Sequence, residues 1–486
     1  MMEEHSDIDT ILYGSVAVKA GFRAIRECLG EKPVRIVALD LSDDIKEALL
    51  TDNIIATLIQ NPKDQGYRAI RILFEFLTSN KKPKNPLCYI NTEIIVKECI
   101  NGILEVLAIP NINVLIKPAS GNCNLQCKYC FYLDLIDNKC HSNGGFMPLE
   151  TLEKLVQSVL EYADDTASFS FQGGEPMLAG LDFYRNLLVL QKKYNTKNIK
   201  IKNAIQTNGT LINLEWAEFF RAHHFLVGVS LDGMEGIHNL NRVDHNGEGT
   251  YLRVIDAIKI LDEFQVEYNI LCVVTRLVAK HPEKTYRFFK KQGFQYLQFI
   301  PCLDGLEKQP GMDNYSLSPQ LYGNFLKRLF DLWLKDNLEG KEISIRMFDN
   351  ILGMLLGYPP ESCDMRGKCK ANLVVESDGS VYPCDFYVLD QWKLGVIGND
   401  SILDMLFGQT AKKFEEISNL RPQACRDCEF YSLCRGGCRR NYEPIRNEIL
   451  EKNYFCEAYR DFYRYAIPGF LKLAKKCVEK SSERSL

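Results

Sequence analysis

No stretch of this sequence approaches the roughly 18 consecutive apolar residues that a membrane-spanning helix needs. The start, Met1-Met2-Glu3-Glu4-His5-Ser6-Asp7, also lacks the basic-then-apolar order of a secretory signal. A soluble cytoplasmic protein with no membrane partner is therefore expected. Positive charge is not in excess either: the formal net charge is −4, the isoelectric point is about 6.1, and the charges are interspersed. Nucleic-acid binders usually carry a basic face or stripe, so nucleic acid is not an expected partner. Low-complexity tracts are absent, and 46% hydrophobic with 25% charged residues is the balance of an ordinary globular protein. The length of 486 residues exceeds what one hydrophobic core commonly serves, so two or more units are expected.

What the chain does have is 18 cysteines. A secreted chain would spend them on disulfides, whereas a cytosolic one keeps thiols reduced for metals or catalysis. Without a secretory start, the metal reading gains weight.

Short apolar runs at 8–15, 34–40 and 55–61 alternate with helical patterns at 16–29, 43–50 and 63–79, which reads as βα alternation. Pro83, Pro86 and Pro110 punctuate the next stretch, with a strand-like Ile94-Ile95-Val96 between them, and a boundary is expected near residue 108. From Val114-Leu115-Ile116-Lys117 a second alternation begins. Its strand candidates lie at 167–171, 201–206, 226–231, 268–274 and 296–300, with helical stretches such as 150–162 and 250–264 between them. That spacing suits a parallel sheet, open or closed. After about residue 340 cysteines and turn residues become dense, which predicts a cysteine-rich C-terminal module.

Cys123, Cys127 and Cys130 place three thiols within eight residues on a loop after a predicted strand. Thiolates are the usual ligands of iron–sulfur clusters, and three of them on a four-iron cluster leave one iron open to a small molecule. A zinc site completed by Cys140, or three unrelated buried cysteines, is the alternative. Phe171-Gln172-Gly173-Gly174-Glu175-Pro176 ends a strand with paired glycines, which let backbone approach a ligand closely. Val229-Ser230-Leu231-Asp232-Gly233, then His238 and Arg242, sits at another strand end; Arg suits a carboxylate through its two-pronged donors, or else serves in a surface ion pair. Gln206-Thr207-Asn208-Gly209 is a third such turn, as readily structural as functional.

The Cx3CxxC pattern, with Tyr129 before its last cysteine and Phe131-Tyr132 after it, resembles the signature of the radical S-adenosylmethionine (SAM) superfamily. The resemblance implies that SAM chelates the open iron and is cleaved to a deoxyadenosyl radical, and it assigns Gln172, Gly173, Gly174, Glu175, Ser230 and Arg242 to SAM.

Eight further cysteines, Cys363, Cys369, Cys384, Cys425, Cys428, Cys434, Cys438 and Cys456, suffice for two fully coordinated four-iron clusters. Two structural zinc sites have the same arithmetic. The pattern resembles the SPASM module of radical SAM peptide-modifying enzymes, and residues 110–460 as a whole resemble the anaerobic sulfatase-maturating enzymes, through Leu-Ile-Lys-Pro-Ala-Ser before the first cluster and Tyr382-Pro-Cys384-Asp385-Phe386-Tyr387 in the module. By that resemblance one auxiliary cluster uses Cys363, Cys369, Cys384 and Cys438, and the other uses Cys425, Cys428, Cys434 and Cys456. Cys28, Cys88, Cys99, Cys140, Cys272, Cys302 and Cys477 are left as small buried hydrophobes.

The expected fold is thus α/β: a partial (β/α)6-type barrel at 109–340, a SPASM module with two auxiliary clusters at 341–486, and an α/β segment at 1–108. The implied cofactors are three [4Fe–4S] clusters and SAM. The implied reaction is oxidation of a Cys or Ser in a Cys/Ser-x-Pro-x-Arg segment of a sulfatase to formylglycine, with flavodoxin or ferredoxin as reductant. Asp385 is the base that the resemblance selects and Tyr132 an active-site aromatic, although an Asp there could equally cap a turn and a Tyr could be packing. A SPASM maturase building thioether or carbon–carbon crosslinks would share every cluster cysteine; a sugar sensor or zinc scaffold is the reading from another class.

Residues 1–108 lie outside that pattern. Ile-Val-Ala-Leu-Asp40, Ile55-Ala-Thr-Leu-Ile-Gln60-Asn-Pro62 and Gln65-Gly66-Tyr67 resemble the C-terminal part of a periplasmic sugar-binding domain of the LacI and ribose-binding type, in which the residues matching Asp40 and Gln60 contact sugar. Such domains bind between two lobes and this segment spans about a third of one, so it implies a fused remnant or docking element rather than a sugar site.

Overall fold

The computed structural model describes residues 10–13, 35–39, 45, 56–60, 92–96, 111–132, 145–306, 308–445 and 450–484. The chain divides into two compact units, Met1–Asn111 and Ile112–Leu486. In the first, strands β1 (Thr10–Tyr13), β2 (Arg35–Leu39) and β3 (Ala56–Gln60) pair in parallel and β4 (Thr92–Val96) adds antiparallel to β3. The helical patterns expected at 16–29 and 63–79 and nearly all of that at 43–50, together with Asp40, Cys28, Cys88, Cys99 and Cys140, lie outside the described residues.

In the second unit each expected strand forms. β5 (Ile112–Ile116), β6 (Thr166–Phe171), β7 (Lys200–Thr207), β8 (Leu226–Ser230), β9 (Tyr268–Val274) and β10 (Tyr296–Pro301) pair in sequence order, all parallel. β6 reads Thr-Ala-Ser-Phe-Ser-Phe, and its period-2 pattern buries Ala167, Phe169 and Phe171. The crossover helices supply the other layer. In α1 (Leu149–Tyr162) the buried residues Leu152, Leu155, Val156, Val159 and Leu160 recur at helical spacing, so one face is apolar and packs on the sheet.

The sheet does not close. Short β11 (Ser344–Ile345) extends it beyond β10, and on the other side β5 pairs in parallel with β12 (Leu373–Val375), which runs into an antiparallel meander of β13 (Ser380–Tyr382) and β14 (Gly395–Val396). Strands from beyond residue 340 therefore cover the free edge of the barrel sheet, removing unpaired backbone groups from it. They also bring Glu376 and Asp385 beside the end of β5.

Two long helices brace the far side. α2 (Pro319–Leu338) opens with Ser318 accepting from the Leu321 N–H and with Pro319 in its first turn. α3 (Cys456–Arg484) lies against it: the Phe330 ring is 4.5 Å from that of Phe470 and meets Phe462 edge-on at 5.9 Å. Because α3 begins at Cys456, this aromatic packing fixes where that thiol sits. None of the described helices is long and apolar enough to cross a membrane.

Candidate active site

The Cys123–Cys130 loop and the turns at Gly173-Gly174, Thr207–Gly209 and Leu231–Gly233 follow the carboxyl ends of the parallel strands β5, β6, β7 and β8, the edge where α/β barrels carry their chemistry. After β5 the chain turns through Lys117–Asn122 into the loop of Cys123, Cys127 and Cys130. This loop is clamped from one side, since Gln126 N–H donates to Val243 O (2.8 Å) and Lys128 N–H to Asn241 O (3.0 Å). Cys123 Sγ accepts from the Leu125 N–H at 3.4 Å and from Asn208 Nδ2 at 3.8 Å. Burial pushes the Cys123 thiol up to about 11 and the Cys127 thiol up to about 12, and each feels Cys130. Thiols raised this far stay protonated at neutral pH unless a cation lies among them, which is what an iron–sulfur cluster provides.

Gly173 and Gly174 both hold positive φ, +100° and +55°. A Cβ on Gly174 would stand 2.2 Å from Asn122 O, so only glycine lets the β6 loop lie against the cysteine loop. Glu175 N–H donates to Asn122 O at 2.8 Å, stitching the two loops together. The Glu175 carboxylate is fully buried and accepts from Met177 N–H (3.0 Å), Thr207 Oγ1 (2.8 Å) and Asn208 N–H (2.8 Å). Burial outweighs these donors and raises it to about 7. Ser230, at the end of β8, accepts from Gln206 Nε2 at 3.1 Å.

Arg242 is buried and turns its fork on Asp232: Nε donates to Oδ2 at 3.0 Å and Nη2 to Oδ1 at 3.4 Å. Tyr129 Oη donates to the same carboxylate, as does Val273 N–H at 2.9 Å. His238 Nδ1 accepts from Asp232 N–H at 3.3 Å, and burial lowers this imidazole to about 4. The structure thus gives Glu175 and Arg242 work within the protein, holding neighbouring loops in register.

Asp385 follows Cys384 in the loop after β13 and meets residues from three other loops. Tyr132 Oη donates to its Oδ2 at 2.6 Å, Gln172 Nε2 lies 3.1 Å from the same oxygen and 2.8 Å from Tyr132 Oη, and Lys117 Nζ pairs with Oδ1 at 2.9 Å. Lys117 also lies 3.5 Å from Glu376 Oε1, whose other oxygen accepts from Ser120 Oγ at 2.6 Å. Burial alone would lower the Lys117 ammonium, but Asp385 and Glu376 together raise it, so the lysine is held charged between two carboxylates. Burial and then Asp385 raise the Tyr132 phenol well above its usual value, keeping it a neutral donor. Sequence reasoning named Tyr132, Gln172 and Asp385 but assigned Lys117, Ser120 and Glu376 nothing; the signal for the first two lay in the Leu-Ile-Lys-Pro-Ala-Ser stretch itself. It also left Asn208 undecided, and the structure puts its amide on Cys123 and on Asn124 Oδ1 at 2.8 Å.

The remaining cysteines sort into two electrostatic neighbourhoods. The Cys384 thiol is raised by burial and then by Cys438, with Cys363 contributing, and the Cys438 thiol, pushed up to about 12, feels Cys369 and Cys363. The Cys434 thiol, pushed up to about 11 by burial, feels Cys456, Cys425 and Cys428. Spacing alone left this division undetermined, because Cys438 sits in sequence between Cys434 and Cys456. Among the described residues no three His, Cys, Asp or Glu side chains gather about one point as a single ion would need. Of the left-over cysteines, Cys272 and Cys302 are buried and Cys477 is half-buried.

Residues 118–289 match the radical SAM superfamily and residues 363–429 match SPASM, an iron–sulfur cluster-binding domain. The fold and the cysteine loops therefore define a radical SAM enzyme with a SPASM domain. The cysteine-type anaerobic sulfatase-maturating enzyme of Clostridium perfringens strain 13 is 49% identical over 365 residues, 75% of this chain and 99% of that protein. The serine-type anaerobic sulfatase-maturating enzyme of Bacteroides thetaiotaomicron is 33% identical over 383 residues, 75% of this chain and 91% of that one. The solved structure of native anSMEcpe with bound AdoMet and Cp18Cys peptide superimposes with a TM-score of 0.73 at 47% identity, covering 76% of this chain and 100% of that one. Streptococcus suis SuiB bound to its precursor peptide SuiA shares the fold alone, at 16% identity and a TM-score of 0.54 over 81% of this chain and 88% of that one. The chain belongs to the anaerobic sulfatase-maturating enzymes, a family of radical SAM enzymes whose cofactors are SAM and three [4Fe–4S] clusters.

Proposed function

We propose that this protein oxidises a cysteine in a Cys-x-Pro-x-Arg segment of a sulfatase to formylglycine. The observation that carries the reading is the convergence of Tyr132 and Gln172 on Asp385 Oδ2, with Lys117 on Oδ1, which joins the loop after Cys130 to the loop at Cys384 in one site. Cysteine rather than serine is favoured by the greater identity to the cysteine-type relative, 49% against 33%.

In this reading Cys123, Cys127 and Cys130 hold the SAM-binding cluster, Cys363, Cys369, Cys384 and Cys438 one auxiliary cluster, and Cys425, Cys428, Cys434 and Cys456 the other. Residues 109–340 form the SAM-cleaving barrel and 341–486 the SPASM module. With SAM and the clusters bound, the first cluster would supply a deoxyadenosyl radical able to take a Cβ hydrogen from the target, and an auxiliary cluster would supply an acceptor for the one further electron. Asp385 takes the proton from the target thiol, leaving a thioaldehyde that water hydrolyses to the aldehyde and hydrogen sulfide. Tyr132 and Gln172 aim Oδ2, and Lys117 fixes Oδ1. Gln172, Gly173, Gly174 and Ser230 line the SAM side, while Glu175 and Arg242 serve SAM through the loops they hold. The donor of the low-potential electron is a flavodoxin or ferredoxin.

The test is to incubate reduced enzyme and SAM with a Cys-x-Pro-x-Arg peptide and weigh the product. An aldehyde that reacts with a hydrazine is expected. Loss of two hydrogens with no aldehyde would replace this reading by crosslink formation.

A further inference from the structure

An electron has to reach the Cys123–Cys130 loop from outside, and one flank of that loop carries a cluster of exposed cations. A groove of about 350 Å³ runs beside it, bordered by Lys128, Leu240, Arg276, Lys280 and Tyr315, with no acidic residue among the described residues that line it. Lys128, Arg276 and Lys280 are all exposed, and none has an ion-pair partner among the described residues. Three exposed cations thus lie together on a chain whose net charge is −4. Many exposed lysines and arginines elsewhere on this unit do find carboxylates, as Lys193 does with Glu153 and Arg464 with Glu429.

The groove also touches the cysteine loop directly. Lys128 lies between Cys127 and Cys130 in the chain. Tyr315, on the groove wall, packs edge-on against Tyr129 with ring centroids 6.5 Å apart, and Tyr129 is the buried neighbour of Cys130. Leu240, 51% exposed, adds an apolar contact at the rim.

We propose that this groove is the docking surface for an acidic one-electron carrier protein of the flavodoxin or ferredoxin class, which delivers the electron to the cluster assigned above to Cys123, Cys127 and Cys130. The inference rests on that assignment. Charge complementarity selects the occupant: a sulfatase segment carrying the arginine of Cys-x-Pro-x-Arg is repelled by three cations, whereas an acidic carrier is attracted. Electron-transfer encounters bury little surface and rely on steering, which raises association about 10–10³-fold at low salt and fades as salt screens it.

The test reverses two of the charges, Arg276→Glu with Lys280→Glu, neither of which touches an assigned ligand. Cluster reduction by flavodoxin hydroquinone is followed anaerobically by stopped-flow at low and high ionic strength, and SAM cleavage is driven in parallel by reduced methyl viologen, a small cation. The variant should be reduced by flavodoxin at least about 10-fold more slowly at low salt, with the gap narrowing at high salt. Viologen-driven cleavage and the peptide KM should match the parent. An unchanged flavodoxin rate overturns the proposal, as does a raised peptide KM with viologen, which would make the groove a substrate surface. Should the double variant fail to accumulate, Lys280→Gln carries the same contrast, and a parent rate indifferent to ionic strength refutes the idea without any variant. Absence of SAM cleavage even with viologen would instead count against the cluster assignment itself.

Discussion

Replacing Asp385 by Asn separates base catalysis from a merely structural role. The three groups around its carboxylate are all donors as they stand: Tyr132 Oη at 2.6 Å, Gln172 Nε2 at 3.1 Å and Lys117 Nζ at 2.9 Å. An asparagine has one acceptor, and Lys117 will claim it because an ammonium cannot accept. The new NH2 then faces Tyr132, whose oxygen can accept it and still accept from Gln172 Nε2 at 2.8 Å, while the Tyr132 hydroxyl loses the acceptor it donated to. One unpaired donor costs about 1–3 kcal/mol. Stripping a buried cation of its partner costs about 3–5 kcal/mol where nothing replaces it, but Lys117 keeps Glu376 at 3.5 Å. The lower figure therefore applies, and a domain stable by about 5–15 kcal/mol stays folded. Loss of a general base costs roughly 10²–10⁴-fold in rate, or about 2.7–5.4 kcal/mol of barrier. SAM cleavage needs no base, so Asp385→Asn should still form deoxyadenosine, uncoupled from product, while aldehyde formation falls by that factor. Deoxyadenosine is measured by chromatography and aldehyde by mass. Aldehyde at the parent rate, with iron content unchanged, would refute the reasoning and leave Asp385 a turn residue beside Cys384.

Replacing Cys123, Cys127 and Cys130 together by Ala should abolish SAM cleavage while the eight C-terminal cysteines keep their iron, as iron analysis and EPR would show. Gly174→Ala should lose most first-cluster iron and SAM cleavage, because its Cβ would stand 2.2 Å from Asn122 O and push the two loops apart; a variant with parent activity would mean that the loops separate at no cost. His238 is lowered by burial to about 4 from an ordinary 6.5. Between those values the unfolded chain binds the proton and the folded one does not, so stability is lost as pH falls from about 6.5 to 4, by up to roughly 3 kcal/mol. Chemical denaturation should show that part of the acid loss missing in His238→Asn, and equal acid sensitivity in the two proteins would contradict the burial argument.

Much of the catalytic unit was legible because its signals are local. Strand period, helical spacing and glycine turns placed β6 through β10 within a residue or so of where they form, since each pattern is set by side chains within a few positions of one another. The three-cysteine loop and the Gly173-Gly174 turn were readable for the same reason. Residues 1–108 were read as a βα alternation, and the antiparallel pairing of β4 with β3 was not anticipated, because pairing direction depends on the path between strands rather than on either strand's pattern.

By itself the sequence determined the chemistry-bearing residue types and their local spacing: the cysteines, the strand-end loops, the Asp after Cys384. Only the tertiary structure decided which of them meet. The pairing of β5 with β12 brings a segment more than 250 residues away beside the end of the first barrel strand, so that Lys117 joins Asp385 to Glu376. Arg242, which the sequence left between a ligand carboxylate and an ion pair, forks onto Asp232. The electrostatic neighbourhood that Cys438 shares with Cys363, Cys369 and Cys384 likewise crosses the chain order. These are long-range contacts, selected by burial and charge compensation across the whole fold, and no window of sequence contains both partners.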